Sequence, residues 1–176
     1  MADLFAPGRI GPATIPNRVV MAAMTTRTAD AEGFVTEEAM AYYRARARGG
    51  TGLVTVEMAA PEKVGRHRFR ELGLYDDRFL PGLARLAGMI HAEGSAACIQ
   101  LGHGGGHTRR DICGETPIAP SAVPHPVLEV TLETIVPEAM TTERIEQTIR
   151  AYVGAADRAR RAGFDCVEIH AAHGYL

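Results

Sequence analysis

At 176 residues the chain has room for one domain with a real core and is too short for two comfortable ones. Its 46% hydrophobic and 23% charged content is ordinary for a soluble globular protein. A formal net charge of -2 gives no electrostatic reason to expect nucleic acid or a membrane surface as a partner. Cys98, Cys113 and Cys166 form no C-x-x-C pair of the kind that suggests zinc or a redox dithiol, and read as free thiols in a reducing compartment. No apolar run approaches the roughly 20 residues that span a bilayer. The N-terminus lacks the basic start and apolar core of a signal peptide, so a cytoplasmic location is expected.

Residues 7–17, rich in Pro and Gly with short apolar pairs, predict a small hairpin. Arg18 to Met21 is the first core strand and runs into the small and hydroxylated Ala22-Ala23-Met24-Thr25-Thr26. Thr36 predicts an N-cap, with Glu37 and Glu38 at the positive end of the dipole, for a helix that runs to about Arg48 and stops at Gly49-Gly50. Leu53 to Val56 is a buried strand closing on Glu57. A second helix is predicted from about Leu80 to Glu93, with Pro81 tolerated in its first turn, apolar positions at Leu83, Leu86, Ala87 and Ile90, and Gly94 at its end. Ala96 to Ile99 is the next strand, closing on Gln100.

The stretch from about 102 to 140 is unusually long for a strand-helix connection and reads as a lid beside a site, with a hairpin over Val127 to Val136. A third helix, capped by Thr141 or Thr142, carries Ile145, Ile149, Tyr152, Val153 and Ala156 on one face and stops at Gly163. Cys166 to Ile169 forms the last strand, closing on His170. His173 and Tyr175 follow at once, so three side chains able to donate or exchange protons gather at one strand end. The Arg-rich patches Arg44-Arg46-Arg48 and Arg158-Arg160-Arg161 read as solvated helix faces.

Three times the chain reads helix, glycine, buried strand, polar residue, with Glu57, Gln100 and His170 as terminators. Buried strands alternating with helices imply an α/β fold with a parallel sheet. In a (β/α)8 TIM barrel the C-terminal strand ends form the active face, so these terminators are expected to line one site. An open doubly wound sheet is the alternative; against it, no G-x-G-x-x-G follows the first strand, and ligand-like residues stand at every strand end. A complete barrel takes about 250 residues, whereas only about the first four strands are present. A half-barrel with raw edges is expected to be a fragment, or half of something that must pair. Zinc on His170 and His173 would need a third protein ligand, for which only His103 or His107 offers itself. A Schiff-base aldolase is disfavoured because the sole lysine, Lys63, lies in a loop beyond the second strand.

Several motifs in order carry a family resemblance: Leu4-Phe5-Ala6-Pro7, Pro16-Asn17-Arg18-Val19-Val20-Met21, Tyr42-Tyr43-Arg44, Arg46-Ala47-Arg48-Gly49-Gly50, Gly65-Arg66, Ile99-Gln100-Leu101-Gly102-His103, Ala119-Pro120-Ser121, and Glu168 through His170, His173 and Tyr175 to Leu176. Along its whole length, residues 1–176, the chain resembles the N-terminal half of the FMN-binding barrel of the old yellow enzyme family, within the branch that includes 2,4-dienoyl-CoA reductases. The resemblance implies FMN as cofactor and NAD(P)H as reductant. It implies hydride transfer from flavin N5 to the activated C=C bond of an α,β-unsaturated carbonyl or an enoyl or dienoyl thioester. It places Ala23, Met24, Thr25 and Met58 against the isoalloxazine and the Gln100 amide on its pyrimidine edge. His170 and His173 would hold the substrate carbonyl oxygen, and Tyr175 would protonate the α-carbon.

The resemblance implies no metal site in these residues. The family's flavin-phosphate site, and the iron-sulfur cluster of the dienoyl-CoA reductases, belong to segments beyond them. Family members often carry Pro where this chain has Ala23, and Tyr or Gly where it has Arg27. The expected partner, besides a small-molecule substrate, is a C-terminal half or a second copy. The alternative is an inactive half-barrel that needs such a partner to complete the flavin site.

Overall fold

The computed structural model describes residues 3–126 and 134–176. The hairpin expected over Val127 to Val136 falls largely outside them. Strands β1 (Gly8–Ile10) and β2 (Ala13–Ile15) form an antiparallel hairpin with Gly8 opposite Ile15. Ile15 packs with Leu53, Ala96 and Cys98, so the hairpin covers the end of the sheet where the strands begin.

The sheet runs β3 (Val20–Met21), β4 (Leu53–Ala60), β6 (Ala96–Leu101), β9 (Cys166–Ile169), every pair parallel, and β5 (Leu72–Gly73) adds on to the end of β4. All eight residues of β4 are buried, which marks it as the central strand. Helix α1 (Glu37–Arg48) lies against β4, and α2 (Leu80–Ala92) lies against β6 and α1. The Thr36 hydroxyl caps α1 by accepting from Ala39 N–H, and Gly50 leaves the helix at φ +91, where a Cβ would be strained. Tyr43, Leu83, Leu86 and Ile90 meet Val54, Val56 and Ile99 in one apolar cluster. Each such side chain contributes about 1.5–3 kcal/mol on burial.

Three expectations are corrected. First, β4 and β6 do not stop at their polar residues. Glu57 lies within β4, only 1% exposed, and Gln100 lies within β6. Parallel pairing carries both strands past these positions, with a register irregularity between Val56 and Ala59. Second, the start of the 102–140 stretch is packed structure rather than lid: His103, His107 and Thr108 are buried. A short helix, α3 (Arg110–Cys113), follows, and β7 (Ile118–Ala119) pairs in parallel with β8 (Glu138–Ala139).

Third, helix α4 (Thr142–Arg161, capped by the Thr141 hydroxyl) buries Thr148, Ala155 and Ala159, whereas Ile145, Ile149 and Val153 stay exposed. The helix packs over β6 and β9 with one flank, and among the described residues no strand covers the rest of the apolar stripe. Two arginines of α4 are also less free than expected, since Arg158 and Arg161 both pair with Asp77 at 2.8 Å. Among the described residues, no helix is long and apolar enough to cross a membrane.

Glu62, just after β4, ties α4 to the sheet. Its carboxylate accepts from Arg144 Nη2 at 2.7 Å and Thr148 Oγ1 at 2.9 Å, and His103 Nε2 stands 3.2 Å away. Burial opposes the charge, but these partners outweigh it and hold the carboxyl at about 2. A folded-state value below the ordinary one means stability that is present above about pH 4.5 and lost as the pH falls towards 2. Glu62→Gln is therefore expected to lower stability by roughly 1–3 kcal/mol at neutral pH, with the deficit shrinking on acidification. Urea unfolding of both proteins across that pH range checks this.

Candidate active site

The C-terminal ends of the parallel strands meet at one cavity of about 470 Å³. Its first wall is the segment after β3. Glu57 accepts there from Thr26 N–H at 2.7 Å, from Arg27 N–H at 3.4 Å and from the Thr26 hydroxyl, while its own N–H donates to Tyr43 Oη at 2.8 Å. Burial pushes the Glu57 carboxyl up, with the Thr26 hydrogen bonds opposing. The carboxylate thus fixes the backbone that presents Ala23 and Thr25 to the cavity, and Arg27 adopts φ +56 to make the turn.

Met58 supplies the floor. A Cβ on residue 102 would lie 2.1 Å from Met58 Sδ, so glycine at that position is what lets the thioether lie there. Gln100 stands opposite Glu168 in the β6–β9 register, and its amide donates to that carboxylate.

The third wall is the turn after β9. His170 extends the ladder by one bond, its N–H donating to Leu101 O at 2.9 Å. The chain then doubles back with His173 at φ +61 and Gly174 at φ +71, and Leu176 N–H is held by His103 O at 3.0 Å. His170 Nδ1 accepts from Ala172 N–H at 3.2 Å, which puts the hydrogen of the neutral ring on Nε2, 3.2 Å from His173 Nδ1. His173 then carries its own hydrogen on Nε2. The Tyr175 ring stands edge-on to His170 with centroids 4.8 Å apart. Burial and the neighbouring His173 push His170 down, towards the neutral ring. Burial pushes the Tyr175 phenol up, Glu71 adding to the shift and Arg68 opposing it.

All the site residues expected from sequence line this cavity except Met24, which is 50% exposed and is not among the lining residues. His103 turns to Glu62, and His107 stacks on His125 at 4.4 Å, so neither joins His170 and His173. Among the described residues, no group of three or more His, Cys, Asp or Glu could hold a metal ion. Sequence reasoning missed His67, which lines the cavity and lies 2.9 Å from Tyr175 Oη, and Glu71 behind it. They sit in a loop with no periodicity, and nothing local links residue 67 to residue 175.

An apolar floor with an amide and a hydroxyl at its rim suits a flat heteroaromatic ring carrying alternating donors and acceptors. The described lining includes no arginine or lysine.

A sequence model of the NADH:flavin oxidoreductase / NADH oxidase family matches residues 3–176. An NADPH dehydrogenase of Listeria monocytogenes serotype 4a (strain HCC23) is 39% identical over 100% of this chain and 50% of its own length. An NADH oxidase of Thermoanaerobacter brockii is 40% identical over 99% of this chain and 26% of its own. Among solved structures, a 2-naphthoyl-CoA reductase complex superimposes with a TM-score of 0.90 at 30% identity, covering 98% of this chain and 28% of that one. The old yellow enzyme homologue from Zymomonas mobilis gives 0.86 at 32% identity, covering 99% and 50%. The chain thus spans about half the length of the Listeria dehydrogenase and a quarter of the Thermoanaerobacter oxidase.

Proposed function

We propose, for a chain that belongs to the NADH:flavin oxidoreductase / NADH oxidase family, that the cavity is the ring-binding and substrate part of an FMN-dependent active site reducing activated C=C bonds at the expense of NAD(P)H. The observation that carries this reading is the convergence of His170, His173 and Tyr175 on a cavity floored by Met58 and edged by Gln100. FMN, when bound, supplies hydride at N5. Gln100 and Thr25 would meet the polar edge of the ring, with Ala23 and Met58 beneath it.

His173 offers its Nε2–H to the carbonyl oxygen of an α,β-unsaturated carbonyl compound or thioester, and His170, whose Nε2–H faces His173 Nδ1 in the free site, would join it by turning that donor to the oxygen. Fixed donors aimed at a developing enolate are the electrostatic stabilisation this step needs. A depressed His170 supports the neutral, donating ring over one that exchanges charge with the solvent. Tyr175 would protonate the α-carbon. Because burial raises its phenol, the proton stays in place at neutral pH until an enolate calls for it.

A second reading has its own observation. The stripe of Ile145, Ile149 and Val153 lies open beside Ile169, which is 62% exposed, and the described cavity lining offers no arginine or lysine to a phosphate. In that reading residues 1–176 are a half-site, and a C-terminal half or a second copy supplies the phosphate grip.

In a flavin-loaded protein carrying these residues, Tyr175→Phe is expected to leave flavin reduction by NAD(P)H in place and to slow reoxidation by an enone about 10²–10⁴-fold. Stopped-flow measurement of the two half-reactions checks this, and equal loss in both contradicts the assignment. Replacing both His170 and His173 with Ala is expected to weaken a phenolic ligand at least about tenfold, read from the flavin absorbance change on titration. Unchanged affinity moves the oxygen site elsewhere.

A further inference from the structure

The reading of Tyr175 as proton donor leaves open how its phenol regains hydrogen, and the loop between β4 and β5 brings up a group suited to that task. His67 is only 2% exposed, yet it lines the cavity, with its ring edge-on to Tyr175 at 4.7 Å and Nε2 2.9 Å from Tyr175 Oη. Behind it lies Glu71, also 2% exposed. Glu71 Oε2 accepts from His67 N–H at 2.8 Å and Arg68 N–H at 3.0 Å, and faces His67 Nδ1 at 3.2 Å. An acceptor-only carboxylate there places the hydrogen of the neutral ring on Nδ1 and leaves Nε2 for the phenol.

The loop itself is pinned on both sides. Gly104 N–H donates to Gly65 O at 2.7 Å, the Thr108 hydroxyl donates to Arg66 O, Arg66 Nη2 donates to Ala31 O at 3.0 Å, and Leu72 pairs with Ala59. A buried carboxylate, a buried imidazole and a phenol are thus held in line by backbone that packing has already fixed.

We propose that His67 takes up and returns the Tyr175 proton, and that Glu71 is the positioning residue that aims it; this rests on Tyr175 being the proton donor. As a neutral ring, His67 accepts the phenol O–H. Once Nε2 takes up a solvent proton relayed by water in the cavity, the ring donates from both nitrogens, to Glu71 and to Tyr175 Oη, and the phenol hydrogen is freed for the substrate. Then Oη–H breaks as the α-carbon–hydrogen bond forms, and Nε2–H breaks as Oη–H forms again. The ring ends neutral, no electrons have moved in these two transfers, and the net proton comes from the solvent.

The titratable and charged groups around His67 are Glu71 and Arg68 on its own loop, His107 from the segment after β6, and His170 and Tyr175 from the turn after β9. His107 is held down at about 4 by burial and by His125, Arg68 and His67, so it is neutral wherever the enzyme is assayed near neutral pH.

The test follows the Tyr175 Cζ and His67 ring-nitrogen NMR signals against pH in the flavin-loaded, oxidised protein, together with the pH profile of enone reoxidation. The proposal expects Tyr175 Cζ to show an inflection at the pH where the His67 nitrogens titrate, and His67→Gln to remove it. It also expects His67→Gln to lower kcat at least about tenfold with little change in KM, to lose the corresponding limb of the pH profile, and to regain rate with added imidazole. A Tyr175 signal indifferent to His67 titration in the unmutated protein overturns the proposal, whatever the variant does. If Tyr175→Phe is slow while His67→Gln keeps the original rate and profile, only the role of His67 falls. If Tyr175→Phe itself turns over normally, the reading beneath it falls as well.

Discussion

Parallel pairing of β4, β6 and β9 is the constraint on which the rest depends. Because the three strands run the same way, with Thr55 opposite Cys98 and Cys98 opposite Cys166, their C-terminal residues arrive at one end of the sheet. Met58, Gln100 and His170 come from widely separated parts of the sequence, and each is carried to the cavity by this register alone. A slip by one residue in any strand would turn its contribution to the opposite face. The helices outside the sheet and the hairpin over its other end make the register the low-energy one, by burying apolar side chains only when it is kept.

Around that ladder, carboxylates, Glu57 and Glu71 buried and Glu62 partly so, do most of the local organising. Glu57 gathers the Thr26 and Arg27 amides and so sets the wall that follows β3. Glu62 fastens α4 through Arg144 and Thr148, and Glu71 arranges the His67 loop through two backbone amides. Each acts where a loop leaves the sheet and backbone donors lack ladder partners. Buried acceptors of this kind are costly unless satisfied, so each loop is held in a single arrangement. The cavity inherits its rigidity from them.

Much of this was legible in the sequence, and the reasons for success and failure are physical. Thr36 and Gly50 gave the limits of α1, and Gly94 the end of α2, because caps and left-handed glycines are local chemistry. Cys166 to Ile169 was found residue for residue because a short apolar run between Gly163 and a polar cluster has few other readings, although the strand expected to be buried is largely exposed. The strands were ended too early, at Glu57 and Gln100, whereas β4 runs on to Ala60 and β6 to Leu101, since a polar side chain inside a strand looks from sequence like the strand's end. The α4 stripe was read correctly as apolar, but what covers a face is a tertiary fact, and here Ile149 and Val153 remain open. His67 and Glu71 were invisible because their partner, Tyr175, is distant in sequence and brought near only by the sheet.

The central claim is that this cavity receives the flavin ring through Gln100, Thr25, Ala23 and Met58. The most direct measurement titrates residues 1–176 in parallel with FMN and with riboflavin, following absorbance and fluorescence, with Gln100→Leu as control. The account predicts that both flavins bind with similar affinity, since the described lining holds no arginine or lysine for the phosphate, and that Gln100→Leu weakens both. A folded chain that leaves both flavin spectra unchanged would contradict it.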